Sequence, residues 1–366
     1  MSVQLQRRYC GADDLDAFAA FFARHWGTEH ILARDREFAC WQMSPARSSL
    51  FGDAALAGIG YWDAGALVGF IGAMPMNFNI DGRVVAGMWL CNLLAAPDYL
   101  DHGIGLKLMT AVHSVPAAVI GAVGINLRVI PMYRAMRYMT GDCVPRHLRV
   151  LDSAAFASLV DGTQWRTLTA GSQVSAPVAA LVVSDVVCMD GDWDSFWNEF
   201  SARGYLGTHR DAGFYDWRYA RHPRLRYQLA VARKADGAVV GGAVWREEQV
   251  RDSDIRVLRL IELLGSNDEA CRALLLHVEN WGRSHGAVMI DHYSTQAAAS
   301  ALHDCGWFLE SAAADDILPC LFQPLVRQSR AMNYAVRVMA RAGSVAADAA
   351  ARLLILKSDG DQDRPN

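Results

Sequence analysis

The sequence predicts an α/β fold of the α+β kind, built from two repeated halves, each a mixed and mostly antiparallel sheet flanked by helices. Three observations carry this prediction. The chain has 366 residues, 52% of them hydrophobic, enough to bury a large core and to divide into two domains. Residues 55 to 138 place short apolar runs between turn signals and then change to helical spacing, giving the order meander, β, α, β, α. A weaker copy of the same order occupies residues 227 to 307.

Element by element, residues 12 to 24 read as an amphipathic helix, with Asp13, Asp14 and Asp16 at its start and Phe18, Phe21 and Phe22 on its buried side. The stretch "HWGTEHILARDREFACWQ" then gathers His25, Trp26, His30, Trp41 and Gln42, groups that either line a pocket or anchor a loop. Three strands follow, with turns at Asp63 to Gly65 and at Asp81 and Gly82. After "YLDHGIGLKLM" comes a helix to about Pro116, the strand "AVIGAVGIN", and a second helix from about Val129 to Tyr138. The second half repeats this through "YQLAVARKADGAVVGGAVWREE", "IRVLRLIELLGS", "DEACRALLLHVENWGRSH", "AVMIDHYST" and "QAAASALHDCGW". The expected boundaries are 1–150 and 181–326 for the two domains, 151–180 for a Ser/Thr/Ala/Gly-rich connection, and 327–366 for a C-terminal helix and acidic tail.

Composition excludes several classes. A net charge of −4 and a pI near 6.3 provide no overall attraction to nucleic acid. The eight cysteines contain no C-x-x-C pair, which argues against a zinc ribbon or a dense disulfide scaffold and for reduced thiols. The N-terminus lacks the apolar core of a signal peptide, and "VPAAVIGAVGINL" is too short to span a bilayer, so no integral membrane segment and a cytoplasmic location are expected. No metal is expected: Asp359, Asp361 and Asp363 alternate as in a calcium loop but without its distal glutamate.

The glycine pair Gly103 and Gly105 stands at a helix start, where unpaired N–H groups and a partial positive charge favour an anion. In the second copy this place reads "GSNDEA", where Ser266 and Glu269 form an S-x-x-E capping box that satisfies the amides internally. The first copy alone is therefore expected to hold a phosphate.

The stretches "CNLLAAPDYLDHGIGLKLM" and "NLRVIPMYRAMRY" resemble the GCN5-related N-acetyltransferase superfamily, whose turn is Arg/Gln-x-x-Gly-x-Gly/Ala. Gly103 and Gly105 match its glycines, and Leu100 replaces the Arg or Gln. Asn126 and Tyr133 fit the family's Asn and Tyr, while Arg137 and Tyr138 replace its Gly-Phe. The resemblance implies acetyl-CoA or another acyl-CoA as co-substrate, held by Leu93, Leu94, His102, Gly103, Ile104, Gly105 and Asn126, with Tyr133 serving the leaving thiolate and the amides around Asn92 serving the oxyanion. In the second copy Leu302 stands where Tyr133 does, so that half is expected to have lost the site.

A finer likeness covers nearly the whole chain. "HWGTEHIL", "FACWQ", "FYDWRYARHPRLRY" and "LKSDGDQDRPN" look like bacterial N-acyltransferases that modify nucleotide-linked amino sugars for polysaccharide biosynthesis, of the anthrose-pathway type. It implies an amino-dideoxy sugar nucleotide as acceptor, with Trp41, Trp217, Arg218, Asp359 and Asp361 around it. Within "FYDWRYARHPRLRY", Trp217, Arg218 and His222 fit contacts to a sugar nucleotide, Trp by stacking on a base and Arg by pairing with phosphate, and they equally fit a helix that locks the second half together. His30, His102 or a tail aspartate are the candidates for the base, and Cys91 reads as a buried strand thiol rather than a nucleophile. Two rival readings stand beside the enzyme. One is a non-catalytic binding module; the other acts at a membrane through a helix carrying Arg330, Arg337 and Arg341.

Overall fold

The computed structural model describes residues 4–170, 180–250, 253–296, 298–319, 331–342 and 349–365. Its strands are β1 (Gln6–Cys10), β2 (Leu56–Asp63), β3 (Ala66–Ile80), β4 (Arg83–Ala95), β5 (Val119–Val123), β6 (Met139–Gly141), β7 (Arg146–Val150) and β8 (Val182–Val186). They continue with β9 (Leu206–Thr208), β10 (Gln228–Arg233), β11 (Val239–Gln249), β12 (Arg256–Gly265), β13 (Ala287–Tyr293), β14 (Phe308–Leu309), β15 (Tyr334–Val338) and β16 (Leu353–Leu354). Among the described residues they form two mixed sheets, as the alternating apolar runs predict. The first runs β1-β2-β3-β4-β5-β15-β6, with β9 on β3 and β16 on β9; the second runs β14-β7-β13-β12-β11-β10-β8.

Each sheet joins its antiparallel meander to one parallel pair, β4 with β5 and β12 with β13. The crossover between parallel strands needs a helix. Ile104–Val112 serves in the first sheet and Asp268–Ser284 in the second. Both bury an apolar stripe, through Ile104, Leu108, Met109 and Val112 in one and Ala270, Leu274, Leu275 and Val278 in the other.

The sheets exchange strands reciprocally, which the sequence reading does not anticipate. β7 follows β6 in the chain but lies between β13 and β14, while β15 follows β14 but lies between β5 and β6. The expected helix carrying Arg337 and Arg341 is instead strand β15 and a short turn. Its pattern of Arg among apolar residues satisfies both periods, and strand pairing decides between them. Arg337 donates to the Met136 carbonyl at 2.8 Å and Arg341 to that of His113 at 3.2 Å, so both basic groups serve the first sheet. Arg330 lies outside the described residues. No helix among the described residues is long and apolar enough to cross a membrane.

Residues 151–180 are more than a connection. Helices Ser153–Phe156 and Gln164–Thr169 stand there, Trp165 is buried against Phe156, and the Asp316 carboxylate accepts from the Gln164 and Trp165 amides at 2.9 and 2.6 Å. The acidic tail is also built into the interior: Lys357, Ser358, Asp359, Asp361 and Asp363 are all buried. Arg210 donates to Glu262 at 2.9 Å and to Asp359 at 2.8 Å, and Thr208 donates to Asp359 at 2.6 Å. Arg246 clamps Asp363 at 2.9 and 3.0 Å, and Tyr227 adds a 2.7 Å bond.

Asp359, expected from the resemblance to touch an acceptor, is therefore a buried ion-pair partner that fixes the tail. Asp359→Ala strands Arg210 without half of its neutralisation and should cost about 3–5 kcal/mol. Urea denaturation checks this, and a loss below about 1 kcal/mol would mean that the clamp does not hold the tail.

Candidate active site

Pairing between β4 and β5 runs from Gly87–Val119 to Leu90–Ala122 and then stops. At that point β4 bulges: Phe70 faces Leu94 and Gly72 faces Cys91, so Asn92 and Leu93 together oppose Ile71. Asn92 takes φ +55°, a left-handed conformation that asparagine tolerates better than branched residues. β5 is followed by Gly124, and Asn333, just before β15, fixes the turn there by exchanging hydrogen bonds with Ile125 at 2.6 and 2.8 Å. The two strands part around a cavity of about 490 Å³, lined by Ile71, Leu90, Cys91, Asn92, Leu93, Gly105, Asn126, Tyr133 and the tail residues Asp361, Gln362 and Arg364.

Asn92, Asp361, Arg364 and Tyr133 are among the polar groups that meet this cavity. Asn92 is 6% exposed; its Oδ1 accepts from Arg364 at 3.3 Å, and its Nδ2 has no partner among the described residues. Arg364 also pairs with Asp361 at 2.5 Å, and Asp361 is the one carboxylate among the described residues lining the cavity. Tyr133 sits on helix Ile130–Ala135, edge-on to Tyr138 at 5.0 Å between centroids. Burial pushes its phenol well above the ordinary tyrosine range, so it presents an O–H donor at every pH the protein encounters.

The glycine turn contributes backbone. Gly103 caps helix Ile104–Val112 at φ +66° and offers no side chain to the helix amides. A Cβ on Gly105 would meet nothing within 4 Å, so the helix start opens on space. The corresponding helix Asp268–Ser284 is closed, but by a different residue from the one expected. Asn267 rather than Ser266 is the cap, accepting from the Ala270 amide at 2.9 Å, and Asp268 and Glu269 add negative charge to the first turn. Leu302, the counterpart of Tyr133, is fully buried on helix Ala299–Asp304.

Other expected residues lie elsewhere. Leu94 pairs across the sheet with Phe70 in the core, and the Ile104 side chain is fully buried against Gly69, leaving only its backbone near the turn. His102 is exposed beside Tyr99, 5.9 Å between rings. Asn126 stays at the cavity rim, its side chain capping a turn through the Arg128 amide at 3.0 Å. His30 accepts from the Leu32 amide through Nδ1 at 3.3 Å, and burial with Arg364 nearby lowers its pKa to about 4. Its one lone pair is spent on that cap, which removes it as a base. Arg218 is 1% exposed and donates to the carbonyls of Asp363 and Ser358, so it holds the tail rather than an acceptor phosphate. Trp41 stacks on Trp217 at 5.0 Å where the two halves meet.

The sequence reading missed Arg364, Gln362, Ile71 and Asn333. The first two stand in the tail beside the aspartates that were singled out, yet only the fold shows Gln362 donating to the Val123 carbonyl at 3.0 Å. Ile71 and Asn333 carry no local signal of a site.

The fold is that of the N-acetyltransferases. The chain covers 73% of a GCN5-related N-acetyltransferase from Anabaena variabilis over 92% of its own length, with a TM-score of 0.60 and 12% identity. One from Kribbella flavida gives 0.57 at 14% identity, covering 92% of this chain and 71% of that one. The N-myristoyltransferase of Saccharomyces cerevisiae, solved with bound myristoyl-CoA, gives 0.52 at 13%, covering 92% and 83%. No protein-family model matches the chain, and no curated protein matches it significantly.

Two buried histidines and the half-buried His30 give the structure a pH signature. Burial lowers His30 to about 4, His222 to about 3 and His292 to about 4. Between roughly pH 6.5, where unfolded histidine titrates, and about pH 4 the unfolded chain takes up protons that the folded chain refuses. Stability is therefore full above that window and falls as pH falls through it. The urea midpoint should be lower at pH 5 than at pH 7; equal midpoints, or NMR titration of these rings near 6.5 in the folded protein, would contradict it.

Proposed function

We propose that the chain is an acyl-CoA-dependent N-acyltransferase that joins an acyl group to the amine of a small acceptor by direct attack. The observation that carries this reading is the cavity between the parted ends of β4 and β5, where unpartnered Asn92 Nδ2, the Tyr133 phenol and the Asp361 carboxylate face one space. Such a cleft suits an acyl thioester, with an open helix start at Gly105 for the phosphates. The neighbours of like fold include acetyltransferases and an enzyme solved with an acyl-CoA, which supports the same chemistry.

The residues divide the work as follows. The incoming ammonium must shed a proton before its lone pair can attack the thioester carbon. Asp361, directly or through water, is the acceptor for that proton. As the carbonyl becomes an oxyanion, Asn92 Nδ2 and the bulged β4 amides donate to it. As the C–S bond breaks, Tyr133 donates to the sulfur. Because burial holds the phenol so far up, it acts chiefly as a hydrogen-bond donor to the developing thiolate, with full proton transfer completed elsewhere. Cys91 is fully buried and pushed well above the usual thiol range, which leaves it inert.

For the acceptor we propose a nucleotide-linked amino sugar, on the strength of the sequence resemblance and of the aromatic surface at Trp41 and Trp217 beside the tail. Acyl-CoA and reduced cysteines are compatible with action in the cytoplasm.

Gly105→Leu should weaken acyl-CoA binding at least tenfold with an unchanged or slightly raised melting temperature, since leucine favours helix over glycine by somewhat under 1 kcal/mol. Asn267→Ala should cost about 1 kcal/mol of stability and leave binding alone. Calorimetry on both variants checks the assignment, and equal loss of affinity would refute it.

Tyr133→Phe should lower kcat about tenfold to a hundredfold with little change in KM for acyl-CoA, and Asp361→Asn should lower kcat. Steady-state kinetics against a panel of amino-sugar nucleotides measures this. Tight acyl-CoA binding with no turnover on any amine would make the chain a binding module instead.

A further inference from the structure

We infer that Arg47, Trp41, Trp217 and His222 form an anion subsite at the meeting of the two halves, which takes a phosphate or carboxylate borne by the acyl acceptor. The word acceptor rests on the proposed transfer reaction; the anion site itself rests on the four side chains.

Arg47 ends the turn Pro45–Arg47, five residues beyond Gln42, whose side chain abuts the cavity-lining Cys91. Its guanidinium lies over the Trp217 ring at 3.8 Å, a stacking that fixes the plane and leaves the N–H edge for a ligand. Its Nε is buried and unpartnered, and no carboxylate among the described residues pairs with it. The Asp211 carboxylate, which does lie near, is engaged in capping Phe214 at 2.8 Å. Asp363 is held by Arg246 and Tyr227. A half-buried cation without a counter-charge is costly unless something supplies one.

Apart from Asp211, the three ring side chains of the cluster each carry an unpartnered donor. Trp41 Nε1 and Trp217 Nε1 are buried and unpartnered, and the Trp217 side chain is 8% exposed. His222, 4.2 Å from Trp41 between ring centroids, accepts from the Arg224 and Leu225 amides through Nδ1 at 3.1 and 2.9 Å. That bond fixes the tautomer, so Nε2 carries the proton, and Nε2 is likewise buried without a partner. The cluster therefore has an arginine and three N–H groups to satisfy, and a ligand that accepts without donating is the kind that suits them. A neutral carbonyl would leave Arg47 unneutralised; an oxyanion would not. Arg218 and Arg221 add to the positive field at Arg47. Trp41 and Arg47 are partly exposed at the edge of the cluster, while the unpartnered nitrogens themselves are buried. Trp217 and Arg218 belong to a π-helical turn, Asp216–Ala220, a departure from regular helix that often accompanies a functional site.

The test uses the full chain carrying Gly105→Leu, so that the glycine turn offers no second phosphate position, and titrates it by calorimetry with pyrophosphate and with malonate. Saturable binding of one of them is expected, weakened about tenfold or more by Arg47→Gln and less by Arg47→Lys. Arg256→Gln, at an exposed position on β12 that takes no part in the cluster, should leave it unchanged. A preference for pyrophosphate assigns a nucleotide-linked acceptor, and a preference for malonate an amine bearing a carboxylate. In the otherwise unaltered chain, the indole N–H resonances of Trp41 and Trp217, assigned by single Phe replacements, should move on addition of the same anion. Failure of both anions to bind, indifference to Arg47→Gln, or indole signals that stay in place would overturn the subsite. Anion binding by a chain that binds no acyl-CoA would keep the subsite and overturn the transfer reaction.

Discussion

The site depends on Arg210. This fully buried guanidinium reaches Glu262 on β12 at one edge and Asp359 in the tail at another, while a third contact goes to the Thr208 carbonyl at 3.1 Å. Removing three charges from water costs several kcal/mol each, and only near-complete hydrogen bonding returns that cost. The surroundings supply it: Tyr219 and Ser358 donate to Glu262 at 2.6 and 2.5 Å, and Thr208 and the Leu356 amide donate to Asp359. With Asp363 held by Arg246, two tail residues four positions apart are fixed to the second half. The intervening Asp361 and Gln362, and Arg364 beyond, then fall against the open end of β5. The cavity's carboxylate is thus placed by interactions made entirely outside the cavity.

The two halves share a strand order but differ in how they treat a helix start. Asp268–Ser284 has a side-chain cap and two acidic residues in its first turn, so its amides are satisfied and an approaching phosphate is repelled. Ile104–Val112 has a left-handed glycine there and no acidic residue in its first turn. This contrast, together with Tyr133 against Leu302, was legible in the sequence, because caps and turn glycines act within a few residues of themselves. The meanders and both crossovers were legible for the same reason.

What the sequence hid depends on partners far along the chain. Nothing local in "YAVRV" distinguishes a strand from an amphipathic helix, and its place between β5 and β6 is set by residues about two hundred positions earlier. "KSDGDQD" has the composition of a solvated end, yet it is buried because Arg210 and Arg246 await its carboxylates. The same blindness misassigned Arg218. An arginine beside a tryptophan fits phosphate recognition, but here the tail carbonyls already occupy it, while Arg47, which no motif marked, is a partly buried cation with no ion pair among the described residues.

Strand exchange has a consequence for how the chemistry is organised. β15 is paired on both sides in the first sheet, and the residue before it, Asn333, pins the turn that walls the cavity. β7 is likewise paired on both sides in the second. Neither half can therefore move far from the other without breaking strand pairs in both sheets. Trp41 comes from the first half and Trp217 from the second, and their stacking at 5.0 Å is held in that same frame. A ligand bound across this junction would meet a surface already assembled, so little of its binding energy would be spent on bringing the halves together. Direct attack on a bound thioester asks for that arrangement, since its rate depends on holding two reactants in register.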